Sequence, residues 1–468
     1  MLLIFLFSLV CSHNIIQNPS FEEVDSNNKA LFWNLAEGAE LSSVSHSGRK
    51  SLHWNTMEKT LINYQFIKID KNLQYEVCVH FKLINIHGDG FQFYIESKNK
   101  TEGFYESSYS KKFNGTNDWM KACHLTKIFK KPNNDSDRYF VGFYTHSQKE
   151  SGGEVFIDDI SVNRIYFRIG INNDRDEVFD NLNVVYQINE NSDDYNLNDF
   201  DLITRIKDNN IKLIYEKKIN ITSLFFIDPI NIENLDLKLY NYYEVESIIK
   251  NKKENFTDIS SYTFKKIKKI ERNVSFDQYG RMLLNDQLFF PFGIYLTSVK
   301  ESDLILINKT HLNVILPYDQ INKNVMDMIY TKQQGKIKVI YSVNSIFDLD
   351  SDKCSDLNEE ENYKKFIQKI NEFKDHPALL SWYINDELPY CLNKNLRNRT
   401  LSIHELDPNH PSYTVLYIPK EVNQLMNTTD IMGIDSYPIG RSPIRSVYDS
   451  NEETYNNILK VKPMIPVV

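Results

Sequence analysis

Two adjacent carboxylates, Asp386 and Glu387, end the apolar stretch in the sequence DHPALLSWYINDELP at 375–389, and Asn385 stands immediately before them. An ionised pair at the end of a buried element costs free energy unless it is solvated or used. Carboxyl groups in such a position can donate protons, accept protons or act as nucleophiles. The pattern therefore predicts a site of acid–base chemistry.

The elements that must position these acids alternate between short apolar strands and amphipathic helices. Seven apolar runs follow residue 290: PFGIYL, NVILPYD, IKVIYSV, LLSWYI, YTVLYI, DIMGIDSYP and PMIPVV. Such alternation is typical of parallel βα units, and their number predicts a (β/α)8 TIM barrel. Because LLSWYI is the fourth strand and catalytic groups follow the strands of this fold, we expect the acids at the mouth of the barrel. A complete barrel takes about 250 residues, so an incomplete barrel of about seven strands is expected.

The stretch around Glu387 resembles the strand-four motif of clan A glycoside hydrolases, in which an apolar strand with a tryptophan ends in Asn-Glu. The resemblance implies that Glu387 is the general acid/base of a retaining mechanism. Asp386 stands where the family has Asn, and Asn385 lies one position earlier. Asp386 is thus expected either to bind the sugar 2-hydroxyl or to mark a shifted register. The alternative is that Glu387 is a structural acid.

Two further segments are similar to the same clan. GRMLLNDQLFFPFGIY at 280–295 resembles the approach to strand one, and DIMGIDSYPI at 430–439 resembles the end of strand six. The second match implies that Tyr437 hydrogen-bonds the nucleophile, with Asp435 as a weaker candidate; packing at the rim is the alternative for both. A retaining mechanism needs a second carboxylate about 5 to 5.5 Å from the first. The resemblance places it after KPMIPVV, at or just beyond Val468.

The N-terminal part has a resemblance of its own. NIIQNPSFEE at 14–23, HSGRKSLHW at 46–54 and EVFIDDISV at 154–162 are similar to segments of jelly-roll carbohydrate-binding modules. The resemblance implies a structural calcium bound by Glu22 and Asp158, whereas no cofactor is expected for catalysis. Trp33, Trp54 and Trp119 either stack on sugars or belong to the core.

The predicted fold class is therefore multidomain β plus α/β: a β jelly roll, a β-sandwich and an incomplete TIM barrel. Short alternating strands between turn residues support the two β domains. The expected ranges are a signal peptide at 1–12, the jelly roll at 13–163, the β-sandwich at 164–273 and the barrel at 274–468.

The cysteines and the first residues indicate an exported protein. MLLIFLFSLVCS resembles a short signal peptide with cleavage after Ser12. The remaining cysteines fall in two pairs, Cys78 with Cys123 and Cys354 with Cys391, which is the pattern of two disulfides within domains. Free buried thiols are the alternative. Nine Asn-x-Ser/Thr sequons agree with export: Asn99, Asn114, Asn134, Asn220, Asn255, Asn273, Asn308, Asn398 and Asn427.

Net charge limits the class of partner. The formal net charge is -9, so the chain offers no basic surface to neutralise nucleic-acid phosphates. No apolar run reaches the roughly 18 residues of a transmembrane helix. Together with the resemblances, these features predict a secreted glycoside hydrolase whose partner is a carbohydrate. The alternative is a catalytically inactive glycan-binding or adhesion protein that uses the barrel as a scaffold.

Overall fold

The computed structural model of the protein describes residues 14–467 except for 57–60, 71–72, 100–104, 111, 127–128, 130–136, 146–152, 190–195, 254–255, 351–354, 358, 389–391, 418 and 420–421. The predicted signal peptide at 1–12 and the predicted Cys354–Cys391 disulfide lie outside these residues. A helix long and apolar enough to cross a membrane is absent from the described residues.

The N-terminal part is an antiparallel sheet of eight strands built around one long strand. The strands are β1 (Ala39–Ser42), β2 (Ser51–Asn55), β3 (Leu61–Ile67), β4 (Gln74–Asn99), β5 (Tyr105–Tyr109), β6 (Phe113–Leu125), β7 (Asp137–Thr145) and β8 (Glu154–Ile165). The order is β1-β2-β8-β4-β7-β3, and β5 and β6 also pair with β4. Aromatic side chains fill its core, with Trp33 and Trp54 both buried.

The middle part contains two sheets. The strands are β9 (Phe167–Ile171), β10 (Glu177–Val178), β11 (Asn181–Ile188), β12 (Phe200–Lys207), β13 (Leu213–Ile219), β14 (Phe225–Asn231), β15 (Tyr242–Asn251) and β16 (Phe256–Lys266). One sheet has the order β14-β11-β9 and the other β10-β16-β15-β12-β13. In β12, every second residue from Phe200 onward is buried, because successive side chains of a strand point to opposite faces.

The C-terminal part begins with a small antiparallel sheet of β17 (Val274–Phe276), β18 (Met282–Leu284) and β19 (Gln287–Leu288). Strands and helices then alternate: β20 (Gly293–Leu296), α1 (Glu301–Ile307), β21 (Val314–Pro317), α2 (Lys323–Lys332), β22 (Lys338–Ser342), β23 (Asp348–Asp350), β24 (Ser355–Leu357), α3 (Glu359–Phe373), β25 (Leu379–Asp386), α4 (Asn393–Leu406), β26 (Ser412–Leu416), α5 (Val422–Leu425), β27 (Ile431–Ile434) and α6 (Arg445–Asn457). Six strands form a parallel sheet in the order β20-β21-β22-β25-β26-β27, while β23 and β24 pair separately.

Strand β25 lies in the interior of the parallel sheet, between β22 and β26. Seven of its eight residues are buried, as expected for a parallel strand covered on both faces. The preceding helix α3 buries Phe366, Ile370 and Phe373, which lie on one helical face. Beyond β27, Met464 and Val467 form isolated parallel bridges with Met432 and Asp435.

The predicted fold class is wrong. Strand makes up 45% of the described residues and helix 18%, so the molecule is mostly β with barrel-like sheets rather than β domains followed by an α/β TIM barrel. Two of the expected crossover helices are short: α1 has seven residues and α5 has four. Within the described residues the parallel sheet is open, because β20 pairs only with β21 and does not meet β27. The domain boundaries after residues 163 and 273 stay predictions.

Candidate active site

Three carboxylates lie where neighbouring parallel strands end. Asp386 is the last residue of β25, Glu387 follows it, and Asp435 comes directly after β27, with β26 between the two strands. Because parallel strands end at the same edge of a sheet, this topology brings the three side chains together. We call Asp386, Glu387 and Asp435 the acid cluster.

The backbone of β25 is irregular where it delivers Glu387. Between Tyr383 and Asn385 the strand advances two residues while β26 advances one, which is a β-bulge. Glu387 itself has a φ of 48°, in the left-handed region that non-glycine residues seldom adopt. Its backbone N–H donates to the carbonyl oxygen of Val415 at 2.8 Å, and its side chain is exposed. Bulges and left-handed residues are frequent beside active sites, where they aim a side chain.

Asp386 is held by a tyrosine from another strand end. The hydroxyl of Tyr318, which follows β21, donates to Oδ2 of Asp386. This hydrogen bond, together with burial, raises the pKa of Tyr318 to about 12. Tyr318 was missed in the sequence, although it lies near the end of the run NVILPYD, directly after β21, much as Glu387 follows β25. The rule that selected the acids would have found it had tyrosines been considered.

The surroundings of Asp435 perturb its protonation. Burial first, and then the negative charges of Glu387 and Asp386, raise its pKa to about 6. The hydroxyl of Tyr437 donates to Oδ2 of Asp435 at 3.2 Å. Burial also raises the pKa of Tyr437 to about 12. The structure therefore brings Tyr437 and Asp435, both candidates from the sequence, beside Glu387.

Asn385 differs from the acids beside it because its side chain is buried. Among the residues that the structure describes, neither its Oδ1 nor its Nδ2 has a hydrogen-bond partner. A buried amide without partners costs free energy, roughly 1 to 3 kcal/mol. Asp386, and not Asn385, is the residue that reaches the edge of the sheet.

Glu22 and Asp158, the residues predicted to bind calcium, both accept hydrogen bonds from the turn at 46–50. Oε1 of Glu22 accepts the backbone N–H groups of Arg49 and Lys50 at 2.6 and 2.8 Å. The carboxylate of Asp158 accepts those of His46 and Ser47 at 2.8 and 3.0 Å. Oε1 of Glu22 and the carboxylate of Asp158 are therefore each engaged by backbone N–H groups of the turn at 46–50. The calcium site stays a prediction.

Glycine is required in this turn. Gly48 has a φ of +62°, and a Cβ there would lie 2.3 Å from Oε1 of Glu22. Burial raises the pKa of Asp158 to about 6. Glu22 and Asp158 therefore fix the turn at 46–50 from two directions.

The other candidate residues of the N-terminal part are two cysteines and three tryptophans. Cys78 and Cys123 form a disulfide across β4 and β6, which confirms this pair. Trp33 and Trp54 belong to the core, whereas Trp119 is half-buried and its ring lies 5.7 Å from that of His46. Of the three tryptophans, only Trp119 is placed to contact a ligand.

Comparisons with known proteins give no family. No protein-family model matches the chain, and no curated protein matches it. Among solved structures, a β-glucuronidase of Parabacteroides merdae aligns over 88% of this chain and 55% of its own, with 12% identity and a TM-score of 0.32. A β-glucuronidase of Bacteroides uniformis aligns over 87% and 52%, with 13% identity and a TM-score of 0.33. A putative β-galactosidase from Bacteroides fragilis aligns over 87% and 63%, with 10% identity and a TM-score of 0.33.

These structural neighbours are glycoside hydrolases, and the chain spans about half the length of the β-glucuronidases it matches. At these identities and TM-scores they assign no activity to the chain. The function must be argued from the acid cluster itself.

Proposed function

We propose that the protein acts on glycans as a glycoside hydrolase, with Glu387 as general acid/base and Asp435 as the second carboxyl. The observation that carries the proposal is the convergence of the acid cluster, in which burial and neighbouring charge raise the pKa of Asp435 to about 6. Glycosidic bonds are cleaved by two carboxyl groups, one that protonates the leaving oxygen and one that attacks or activates water.

The contacts around the cluster support a proposed role for each residue. Glu387 is exposed and held by a left-handed backbone, so it can reach a substrate. Asp435 is ionised above about pH 6, where it can serve as the second carboxylate, and the hydroxyl of Tyr437 orients it. Asp386, fixed by Tyr318, is available to accept a hydrogen bond from a sugar hydroxyl. A retaining mechanism and export through the segment 1–12 belong to the same proposal.

Exposed tyrosines favour a glycan as the ligand. Tyr318, Tyr417 and Tyr437 are 45%, 51% and 56% exposed, and they follow β21, β26 and β27. Aromatic rings stack on the apolar faces of sugars while their hydroxyls bind polar groups. The same arrangement supports the second candidate, a glycan-binding protein without turnover.

The test compares Glu387→Gln with the unchanged protein on aryl glycosides that have good and poor leaving groups. Loss of a general acid lowers kcat/KM by about 10²- to 10⁴-fold for poor leaving groups, and much less for good ones, which need no protonation. Glu453→Gln, at an exposed position on α6, is the matched control and should leave the rate unchanged. Azide added to Glu387→Ala should restore turnover of activated substrates by forming a glycosyl azide.

The outcomes separate the two candidates. Equal rates for Glu387→Gln and Glu453→Gln would overturn the role of Glu387. No turnover by the unchanged protein, together with glycan binding that Tyr437→Ala weakens, would overturn hydrolysis and support the binding protein. Neither turnover nor glycan binding would overturn both.

A further inference from the structure

A cluster of two histidines and one carboxylate lies in the N-terminal sheet, away from the acid cluster. Donor atoms of His46, His80 and Asp159 all lie within 4.8 Å of one another. Nδ1 of His46 is 2.6 Å from Oδ2 of Asp159, and Nδ1 of His80 is 3.4 Å from the backbone oxygen of Asp159. The imidazole rings of His46 and His80 stack with centroids 4.0 Å apart. Three donors from three separate segments thus meet at one point.

The backbone is distorted at the residue that completes this cluster. Between Cys78 and His80, β4 advances two residues while β8 advances three, so β8 carries an extra residue there. Asp159 lies in this bulge with a φ of 46°, in the left-handed region. A bulge and an unusual φ at one aspartate persist only when surrounding contacts hold them, and such positions are common at functional sites.

Neighbouring contacts orient the donors. The hydroxyls of Ser20 and Ser47 donate to Oδ1 of Asp159 at 2.6 and 2.7 Å, which leaves Oδ2 directed at His46. The backbone of His46 is fixed because its N–H donates to Asp158. Outer contacts of this kind, which set the orientation of the ligands, are typical of metal sites. The side chains of His46 and Asp159 are 37% and 24% exposed, so an ion from solvent can reach them.

We propose that His46, His80 and Asp159 bind a zinc ion, with water completing the coordination. Two imidazoles and one carboxylate suit zinc and related first-row transition metals, whereas calcium takes six to eight oxygen ligands. The site is therefore chemically distinct from the calcium site predicted at Glu22 and Asp158. An ion here would join the turn at 46–50 to β4 and β8 and would stabilise the bulge.

The test uses the untagged full chain, kept oxidised and freed of metal by chelation, because a polyhistidine tag or reduced cysteines would bind the probe. Titration with Co²⁺ should give one equivalent of binding with visible d–d absorption, and Zn²⁺ should displace it. His46→Gln, at an exposed position, should weaken the affinity for Co²⁺ on the order of a hundredfold, and Ser47→Ala about tenfold. The control is His376→Gln. His376 also contacts a carboxylate, that of Asp327, but lies outside the proposed site, so this variant should bind Co²⁺ as the unchanged protein does.

A second measurement keeps the result interpretable if a variant folds poorly. Zn²⁺ should raise the Tm of the unchanged protein and of His376→Gln, and it should not raise that of His46→Gln or His80→Gln. Circular dichroism without metal shows whether each variant is folded. No stoichiometric binding by the unchanged protein, or equal affinity in His46→Gln and His376→Gln, would overturn the proposal.

Discussion

Carboxylates at the 46–50 turn and carboxylates in the acid cluster have opposite surroundings. Asp158 accepts three backbone N–H groups, from His46, Ser47 and Asp159, and Glu22 accepts two more. In the acid cluster the donors are two tyrosine hydroxyls, one on Asp386 and one on Asp435. The described lysines and arginines form no ion pair with Asp386, Glu387 or Asp435.

The difference indicates what each group of acids does. Backbone donors tie Asp158 and Glu22 to the turn at 46–50, so loss of either carboxyl leaves N–H groups without an acceptor, even though burial raises the pKa of Asp158 to about 6. Three carboxylates brought together with few donors repel one another and cost stability, which the rest of the fold must offset. An arrangement that opposes folding is expected where a ligand or a reaction uses it.

The largest expected effect is on the turn. Replacing Asp158 with Ala leaves three backbone N–H groups without their acceptor, so we expect the free energy of unfolding of the N-terminal sheet to fall by about 3 kcal/mol. Hydrogen exchange of peptides from residues 39–165, measured in increasing urea, would report this change locally.

Asp386→Ala is the matched control for this comparison. It loses the hydrogen bond from the Tyr318 hydroxyl and also relieves repulsion within the acid cluster. We expect its effect on stability to stay within about 0.5 kcal/mol. If Asp386→Ala destabilised the protein as much as Asp158→Ala does, the two groups of acids would not differ in role.

A smaller effect concerns pH. The pKa of Asp435 is about 6 in the folded protein against an ordinary value of 3.8, so the folded state holds the proton more tightly. Its contribution to stability is therefore full below about pH 4 and is lost as the pH rises through 6. After allowing for partial exposure of the group, the loss is about 1 kcal/mol.

Comparison with Asp435→Asn isolates this contribution. Between pH 4 and 7 the unchanged protein should lose stability relative to the variant, as measured by urea unfolding at each pH. Because other groups titrate equally in both proteins, the difference belongs to Asp435 and its neighbours. A difference that is independent of pH would mean that the acid cluster does not perturb Asp435.

The sequence predicted the positions of the acids but not the backbone geometry and the pKa shift that the fold gives them. The position of Glu387 was predictable because an apolar run followed by polar residues is a local pattern. The bulge before Asn385 and the left-handed φ of Glu387 were not, since neither position carries the glycine that usually signals such a backbone. The raised pKa of Asp435 was not predictable either. It results from burial and then from the charge of Glu387, which lies 48 positions earlier and is brought close only by folding of the sheet.

The fold class failed for a related reason. Alternating apolar runs predict strands one at a time, whereas closure of a sheet depends on pairing between strands far apart in the chain. Helical spacing predicted crossover helices without their lengths, and α1 and α5 have seven and four residues. Local patterns thus identified the residues of the acid cluster, while long-range pairing decided the architecture around them.

The smallest expected effect concerns Asn385, the buried residue that precedes the acid cluster. The side chain of Asn385 is buried and has no hydrogen-bond partner within the described part of the chain, so Leu, which has a similar size, should fill its place without the cost of a desolvated amide. We expect Asn385→Leu to raise the free energy of unfolding by about 1 kcal/mol while lowering turnover or glycan binding. Thr400→Val is the matched control: its buried hydroxyl bonds Ser412 and the carbonyl oxygen of Thr428, so the same kind of change should destabilise the protein. Loss of stability in Asn385→Leu would show that the amide has a stabilising partner. Asn385 would then not differ from Thr400 in how its polar group is satisfied.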